Sequence, residues 1–437
     1  IPYRPKFKLD YLAGSGVGIG VSSFYGTSLS SGIQGVFSDI LGRNQIFAAA
    51  SVNGQIYDSG AAITYVNQTG RWNLGVGVSH IPYLFGLQTQ TFPKQTIGGK
   101  NVTVLSQNTD IIRNFEDAGR VFTSYPISKT TRFEVSGGAS YNSYRVDRYN
   151  DIYKIDTVKD AQGNPAYQYT YLNSDKKKIS NAEESQLLNY NLKSYALFQI
   201  GTALVGDNSF FGVAAPLNGF RYRLEAAYNF GTYKFFSPTI DLRKYVRVEP
   251  VTFAARFYGY GRFGDSNGIY PLFIGYPFYI RGYEGQTFYN NNKKATNGFN
   301  IDQLSGNRMA IFNFETRLPF TGPEKLAQIK SKFLFTDLNL FFDAGLAWNA
   351  GDKIYFRRNP PILSQTPVLD ENGNQQVDGN GNPVFNNTYG RVPALSAGIS
   401  LRVNVFGAFV LEPYFAFPFN RTDISKPVFG LGFTPGW

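Results

Sequence analysis

Apolar and polar residues alternate along most of the chain. In residues 220–230, large apolar side chains occupy nearly every second position, while Arg223 and Glu225 stand between them. Residues 395–405 repeat the pattern, with Arg402 among the polar positions. Successive side chains of a β-strand point to opposite faces, so each stretch predicts a strand with one apolar and one polar face.

Sixteen segments carry this alternation and are predicted strands. They are 15–24, 27–38, 43–54, 57–68, 71–82, 117–127, 130–147, 187–204, 217–230, 234–247, 250–263, 307–319, 332–348, 392–405, 407–419 and 427–436. The helical period is nearly absent. The one exception is TGPEKLAQIKSK, residues 321–332, where Pro323 and a basic end predict a short helix. The pattern therefore predicts an all-β fold.

The lengths of the connections give a second indication. The long connections 83–116, 148–186, 264–306 and 349–391 all follow odd-numbered predicted strands, whereas most connections after even-numbered strands are short. Bacterial outer-membrane barrels have an even number of strands, short periplasmic turns and long outer loops. The strands of a soluble β-sandwich also alternate. Here, however, one face of the strands carries many full charges, as expected in a water-filled lumen, and the apolar face ends in aromatic residues, as expected at membrane interfaces. We therefore predict a transmembrane antiparallel β-barrel of about 16 strands, with Trp437 at the periplasmic rim.

Composition excludes several classes of function. The 437 residues include no cysteine and only one histidine, His80, which excludes thiolate chemistry, Cys-based metal sites and histidine-based triads. Residues 370–383 resemble a calcium loop, but Gln375 replaces the glycine that such a loop needs and no glutamate closes it. There is no P-loop or dinucleotide-binding glycine motif, and no apolar run of roughly 18 residues that would predict a membrane-spanning helix. We expect no enzymatic activity, no cofactor, no metal site and no nucleic-acid partner.

The charge of the chain suggests one partner. It carries 42 basic and 31 acidic residues, a formal net charge of +11. The basic run SDKKKIS, residues 174–180, could contact anionic lipopolysaccharide, although a solvated loop is the commoner explanation. Outer-membrane lipid and lipopolysaccharide are therefore expected partners of the barrel.

Motifs in the second half of the chain resemble a known family. They are IRGYE (280–284), GNRMAIFNFETRLPF (306–320), FFDAGLAW (341–348), SAGISLRVNVFGAFVLEPYFAFPF (396–419) and the ending FGLGFTPGW. In this order they resemble the barrel of the BamA/TamA-type outer-membrane assembly factor and two-partner-secretion transporter superfamily, the bacterial surface antigen family. The resemblance is strong over residues 250–437 and weaker over 15–250.

The resemblance implies an outer loop that folds back into the barrel. In the family, the motif arginine of this loop pairs with acidic residues on the inner wall. Strand parity places Glu315 and Asp343 on the polar faces of neighbouring predicted strands. The planar guanidinium of Arg281 could therefore donate hydrogen bonds to both carboxylates. We expect a loop latch with Tyr283 wedged beside the arginine. The latch motif comprises Ile280, Arg281, Gly282, Tyr283 and Glu284. Alternatively, Arg281 is a solvated loop residue, or the contact only stiffens the barrel.

The first and last predicted strands form the second candidate site. The first strand region carries Gly14, Gly16, Gly18 and Gly20, and the last carries Gly430, Gly432 and the terminal Trp437. Glycines weaken a strand and permit close backbone approach, and an unpaired edge can accept another strand. Family members are thought to open at this seam. A glycine kink that curves the barrel explains the same residues.

The resemblance implies a role in protein assembly. We predict that the barrel, in the bacterial outer membrane, helps to insert or translocate other proteins through the seam. Its clients would be unfolded outer-membrane or secreted proteins. Residues 1–14 would lead in from an upstream region, a periplasmic domain or partner subunit, and residues 15–437 would form the barrel. Two alternatives remain open: a barrel that anchors a periplasmic binding or scaffold domain without insertase activity, and a diffusion pore.

Overall fold

The chain forms one large antiparallel sheet. The computed structural model describes residues 5–22, 26–53, 58–159, 165–179, 193–212, 214–289, 297–369, 375–376, 382–405 and 409–432. The strands of the sheet are β1 (Lys8–Ser22), β2 (Gly26–Ser38), β3 (Asn44–Asn53), β4 (Ser59–Asn67), β5 (Asn73–Thr91), β6 (Lys100–Pro126), β7 (Thr131–Lys159), β8 (Tyr195–Asp207), β9 (Pro216–Gly231), β10 (Lys234–Val248), β11 (Val251–Gly261), β12 (Arg308–Gly322), β13 (Phe335–Trp348), β14 (Ala394–Val405), β15 (Phe409–Pro418) and β16 (Val428–Gly432). Each of these strands pairs antiparallel with the next along the chain.

Further strands and two helices lie in the connections between these sixteen strands, and the longest additional strand, Pro165–Ile179, pairs antiparallel with β7 in the same sheet. The additional strands are Lys94–Ile97, Pro165–Ile179, Phe210–Phe211, Phe263–Asp265, Leu272–Phe273, Ser305–Gly306, Ile329–Lys330, Ile362–Pro367 and Phe385–Tyr389. An α-helix spans Gly285–Tyr289 and a 3₁₀ helix spans Ile301–Leu304. No helix in the described part of the chain has the length and apolar character needed to cross a membrane.

The two faces of the sheet have opposite chemistry. On β12, Phe312 and Phe314 are exposed on the outer face, whereas Asn313, Glu315 and Arg317 alternate with them and are buried on the inner face. The neighbouring strands repeat this distribution, which is the reverse of that in a soluble protein. Exposed apolar and enclosed polar faces are the arrangement that a lipid-embedded barrel requires. The predicted all-β, transmembrane-barrel fold is confirmed, although the sheet is not closed between β1 and β16 within the described residues.

Every predicted strand has an observed counterpart, but several boundaries differ. β1 begins at Lys8 rather than at residue 15, inside the predicted lead-in. β5, β6 and β7 continue far into the connections predicted as loops, 83–116 and 148–186. Strand pairing continues there, while the clear contrast between an apolar and a polar face ends. Periodicity therefore locates the two-faced part of each strand and misses its extension.

The short helix predicted over 321–332 is wrong. The backbone amides of Leu326 and Ala327 bond the carbonyl of Pro323 in a single turn, and Ile329–Lys330 then pairs with β12 as a short parallel strand. One turn fixes several dihedral angles for few hydrogen bonds, so an isolated segment of this length does not propagate a helix. Most of the calcium-like segment 370–383 lies outside the described residues.

Candidate functional site

A long loop between β11 and β12 runs back along the inner wall of the sheet. We call its described residues, 262–289 and 297–307, the inward loop. The amides of Tyr279 and Ile280 bond the carbonyl of Tyr276, which makes a tight turn before the latch motif. Gly282 follows with φ of 88°, a conformation that favours glycine, and a Cβ at this position would lie 2.9 Å from the Cβ of Ala416. The loop backbone therefore presses directly against β15.

Arg281 is enclosed by carboxylates from three strands. Its Nε and Nη2 donate to the two carboxylate oxygens of Asp343, each at 2.8 Å. Its Nη1 lies 2.9 Å from Oε1 of both Glu315 and Glu412. The guanidinium plane lies over the Phe341 ring, with Cζ at 3.6 Å from the ring centroid. The side chain is 5% exposed, so these contacts replace nearly all of its hydration.

Two further arginines complete the charge balance of this cluster. Arg402 on β14 donates from Nε to Glu412 at 3.0 Å and from Nη2 to Glu315 at 2.9 Å. Arg317 donates from Nε to Glu315 at 2.8 Å. We call the six residues the latch cluster: Arg281, Glu315, Arg317, Asp343, Arg402 and Glu412. With three cations and three anions, it carries no net charge, and each of its buried charges has a partner of opposite sign.

The pairing within the latch cluster stabilises the positive charge that the loop arginine carries in any case. Burial opposes the charge of Arg281, but the attraction of Asp343 and Glu315 outweighs it and holds the pKa of Arg281 well above its ordinary value. The arginine is thus a permanent cation at this position. It serves as a fixed electrostatic tie between the inward loop and the strands.

Tyr283 and Glu284 attach the loop at different points from Arg281. The Tyr283 hydroxyl donates to the carbonyl of Leu395 at 2.8 Å and lies 2.9 Å from Oδ1 of Asn420, so its contacts are with β14 and the β15–β16 connection. This differs from the expected wedge beside Arg281. Glu284 accepts hydrogen bonds from the Gly282 amide at 3.0 Å and from the hydroxyl of Tyr414. Burial raises the pKa of Tyr283, and it raises that of Glu284 although these two hydrogen bonds act in the opposite direction.

Ile280 anchors the loop by packing. It belongs to a buried apolar cluster with Ile274, Tyr283, Phe299, Leu304, Met309, Ile311, Ala347, Val392 and Ala394. Its side chain fits over Gly345 on β13, where a Cβ would overlap with it. All five latch-motif residues therefore contact the sheet or support the turn that does so.

Sequence reasoning missed half of the latch cluster. The structure brings Arg281, Glu315 and Asp343 together, but Arg317, Arg402 and Glu412 were not chosen as partners. Strand parity could have placed Arg317 and Arg402 on inner faces. Glu412 gave a weaker signal, because the surrounding LEPYFAFPF segment is apolar at most positions on both faces.

The seam residues lie on the two edge strands. Gly14, Gly16, Gly18 and Gly20 are part of β1, and the described residues of this strand pair with β2 alone. Gly430 and Gly432 lie on β16. A Cβ at Gly430 would overlap the Tyr414 hydroxyl, so this glycine is needed for close packing against β15, whereas a Cβ at Gly432 would make only ordinary contacts with Glu412, at 3.6 Å from its carbonyl oxygen. Trp437 lies outside the described residues.

The latch cluster is distributed unevenly around the sheet. Its wall residues come from β12, β13, β14 and β15, which lie consecutively and end beside the β16 edge. At the opposite edge, the predicted site residues on β1 are all glycines. The strands beside the β16 edge thus carry a buried ionic network, whereas the strand at the other edge, β1, is rich in glycine.

Comparison with known proteins identifies the fold. No family model and no curated protein matches the chain. Among solved structures, BamA from Haemophilus ducreyi lacking POTRA domains 1–3 aligns over 98% of this chain and 70% of its own, at 13% identity and a TM-score of 0.51. CdiB from Acinetobacter baumannii aligns over 97% of this chain, which spans 58% of the CdiB chain, at 11% identity and a TM-score of 0.44. The BamA alignment confirms the resemblance to this barrel at the level of the fold.

Proposed function

We propose that this BamA-like barrel lies in the bacterial outer membrane and assists the insertion or translocation of other proteins through a seam between β1 and β16. The observation that carries the proposal is the asymmetry of the two edges. The inward loop is tied to the four strands beside β16, while β1 is rich in glycine and does not pair with β16 in the described part of the chain. A seam between a fixed edge and a deformable edge can open without disturbing the rest of the sheet.

The chemistry of an open strand edge supports this use. An unpaired strand presents a row of amides and carbonyls that can template another strand. A client strand could pair with one edge of the seam while the latch cluster keeps the adjacent wall in place. The exchange of backbone hydrogen bonds requires no nucleotide and no covalent step.

The inward loop disfavours a simple diffusion pore. Phe278 accepts a hydrogen bond through its carbonyl from Arg256 on β11 at 3.2 Å, and Tyr279 does so from Asn313 on β12 at 2.8 Å. Together with the latch motif, these contacts place the loop across the inner face of at least five strands. A pore needs that space for water and solute.

A disulfide across the seam tests the proposal. The chain has no native cysteine, so a pair introduced as Gly432→Cys with Gly14→Cys, Gly16→Cys or Gly18→Cys can be oxidised without competing thiols. The assay measures how fast a urea-denatured outer-membrane barrel folds into liposomes that contain the protein. We expect the oxidised seam to abolish the acceleration and reduction to restore it.

A matched control joins strands that are already paired. Ala49 on β3 faces Ala62 on β4, so a disulfide from Ala49→Cys with Ala62→Cys should leave the acceleration unchanged. If the seam disulfide forms in full and the acceleration persists, the seam is not the working element. Absence of any acceleration by the unaltered chain would favour the anchor alternative, in which the barrel holds another domain at the membrane.

A further inference from the structure

A crevice opens on the outer, apolar face of the sheet, away from the latch cluster and the seam. Its volume is about 350 Å³, and its walls include Phe220, Tyr222, Phe257 and Phe312 from β9, β11 and β12. On the outer face of a membrane barrel, such a hollow is open to lipid rather than to water.

A small residue among large ones creates the hollow. Ala255 on β11 contributes to its lining, between Phe253 and Phe257 on the same face of its strand. Its facing residues are Phe314 on β12 and Lys244 on β10. The single methyl group of Ala255 leaves a depression in an otherwise aromatic surface.

Lys244 is the unusual member of this surface. It is exposed on the outer face of β10, in line with Leu242 and Val246, and it lines the crevice. No ion pair joins it to another described residue. A lysine on the lipid-facing side of a barrel is unfavourable at the membrane midplane and nearly neutral close to the interface. Lys244 lies four residues from the end of its strand at Val248, so its long side chain can reach the interface on the short-turn side.

We propose that the crevice binds one glycerophospholipid, with an acyl chain in the aromatic hollow and the phosphate on Lys244. The aromatic walls and the cation match the apolar and anionic parts of such a lipid. Because the short-turn side is the periplasmic side under the proposed function, the leaflet concerned is the periplasmic one, and the ligand is a phospholipid rather than lipid A. The inference rests on the membrane location given in the proposed function, but not on insertase activity.

Lipid titration of the purified, delipidated chain in detergent tests the site. Phosphatidylglycerol is added and binding is measured by native mass spectrometry, with diacylglycerol as the phosphate-free comparison and purified lipid A as the other phosphate source. We expect one phosphatidylglycerol per chain to bind with highest affinity. Lys244→Met should weaken this binding about fivefold, the factor that corresponds to roughly 1 kcal/mol for a lysine at a charged membrane surface. Diacylglycerol should bind the unaltered chain as weakly as phosphatidylglycerol binds the variant.

Two further variants separate the phosphate and acyl contributions. Ala255→Phe fills the hollow and should also reduce binding while leaving Lys244 in place. Lys234→Met removes an exposed lysine from the other end of the same strand and should change nothing. Each variant is first shown to be folded by its heat-modifiable mobility on a gel.

The outcomes distinguish the two proposals. Equal binding by the unaltered chain and Lys244→Met, equal losses in Lys244→Met and Lys234→Met, or tighter binding of lipid A would each overturn the lipid site. Lipid binding as expected, together with no acceleration of client folding, would overturn the proposed function and leave the lipid site standing.

Discussion

At the scale of single residues, the three carboxylates around Arg281 do not depend on it equally. Glu315 and Glu412 each have a second arginine, because Arg402 bonds both. Asp343 receives both of the paired donors of Arg281, and its other side-chain partner is the neutral amide of Asn313 at 2.8 Å. Loss of the arginine would therefore leave Asp343 as the uncompensated charge.

This inequality predicts a specific pattern of coupling. Arg281→Ala should lower the free energy of unfolding by about 3–5 kcal/mol, the range for removing one partner of a buried ion pair. Arg281→Lys should rescue it only in part, because an ammonium group cannot make the paired contact with Asp343. Adding Asp343→Asn to Arg281→Ala should recover a larger share of the lost free energy of unfolding than adding Glu315→Gln does. The single variants Arg281→Ala, Asp343→Asn and Glu315→Gln and the two double variants form two double-mutant cycles. Urea unfolding of these variants and of Arg281→Lys measures the couplings.

The control for this prediction is Arg421, a buried arginine that pairs with Asp423. Arg421→Ala can destabilise the loop through lost contacts with Thr287, but it should show no coupling to Asp343→Asn. If Arg281→Ala and Arg281→Lys both unfold like the unaltered chain, with no coupling to either acid, the latch role is excluded.

Gly282 offers a test of the loop backbone. Gly282 and Gly351 both have φ of 88°, but of the two only Gly282 has an atom close to where a Cβ would lie, the Cβ of Ala416 at 2.9 Å. Alanine is strained by this φ at either site, so the difference between the two variants isolates the packing against β15. Gly282→Ala should cost roughly 1–3 kcal/mol more than Gly351→Ala, the usual range for overpacking.

Protease access to the inward loop is the second measurement for this pair. Gly282→Ala should expose the loop to cleavage, and Ala416→Gly in the same chain should restore its protection by removing the opposing methyl group. Equal stability and equal protection in the two alanine variants would show that the loop does not press on β15 at this point.

Part of this site was predictable from the sequence. The alternation placed Glu315 and Asp343 on the inner face, because parity depends only on neighbouring residues. The grouping of Glu315, Arg402 and Glu412 depends on the register between β12, β13, β14 and β15, which no local pattern specifies. The contacts of Tyr283 with Leu395 and Asn420 were not predictable either. Sequence neighbours in an irregular loop, such as Arg281 and Tyr283, need not share a contact surface.

At the scale of elements, two segments predicted as loops have different structures: the inward loop and the β5–β7 extension, by which we mean the parts of β5, β6 and β7 within residues 83–116 and 148–159. The extension continues as paired strands, with β6 bonding both β5 and β7 along its length. The inward loop has only short elements and is held by side chains: the latch cluster, Tyr283 and the apolar cluster around Ile280. The absence of alternation predicted both as loops, because alternation does not show whether backbone or side-chain contacts stabilise a segment.

This difference predicts how each segment affects ion conduction. Replacing residues 276–304 with a short Gly-Ser linker should produce large, stable channels in planar bilayers, because the segment that crosses the inner face is gone. The unaltered chain should conduct poorly. The comparison is a chain in which residues 93–103 are replaced by Asn-Gly, which shortens the extension and leaves the inward loop intact.

The shortened extension should conduct like the unaltered chain. Large, steady conductance by the unaltered chain would show that the inward loop does not obstruct the lumen. Channels of equal size after both deletions would attribute conduction to general damage of the sheet rather than to loss of the loop.

At the scale of the whole molecule, the alternation predicted the sheet well because lipid and lumen impose one consistent contrast on every strand. The order of β1 to β16 follows from that contrast, whereas the ends of these strands and the additional strands in the connections do not. Two proposals depend on how this sheet is oriented in the membrane: the periplasmic position of the lipid crevice and the direction from which a client reaches the seam. Short turns such as 127–130 should face the periplasm and long extensions the exterior.

Single cysteines can establish this orientation, because the chain has none of its own. Thr96 lies exposed on the short strand between β5 and β6, at the tip of the β5–β7 extension, and Lys129 lies exposed in the turn between β6 and β7. In intact Gram-negative cells, a membrane-impermeant maleimide should label Thr96→Cys at once. Lys129→Cys should be labelled only after the outer membrane is permeabilised. The opposite pattern would reverse the orientation and move the lipid crevice to the outer leaflet, and equal labelling of both sites in intact cells would contradict a membrane-spanning barrel.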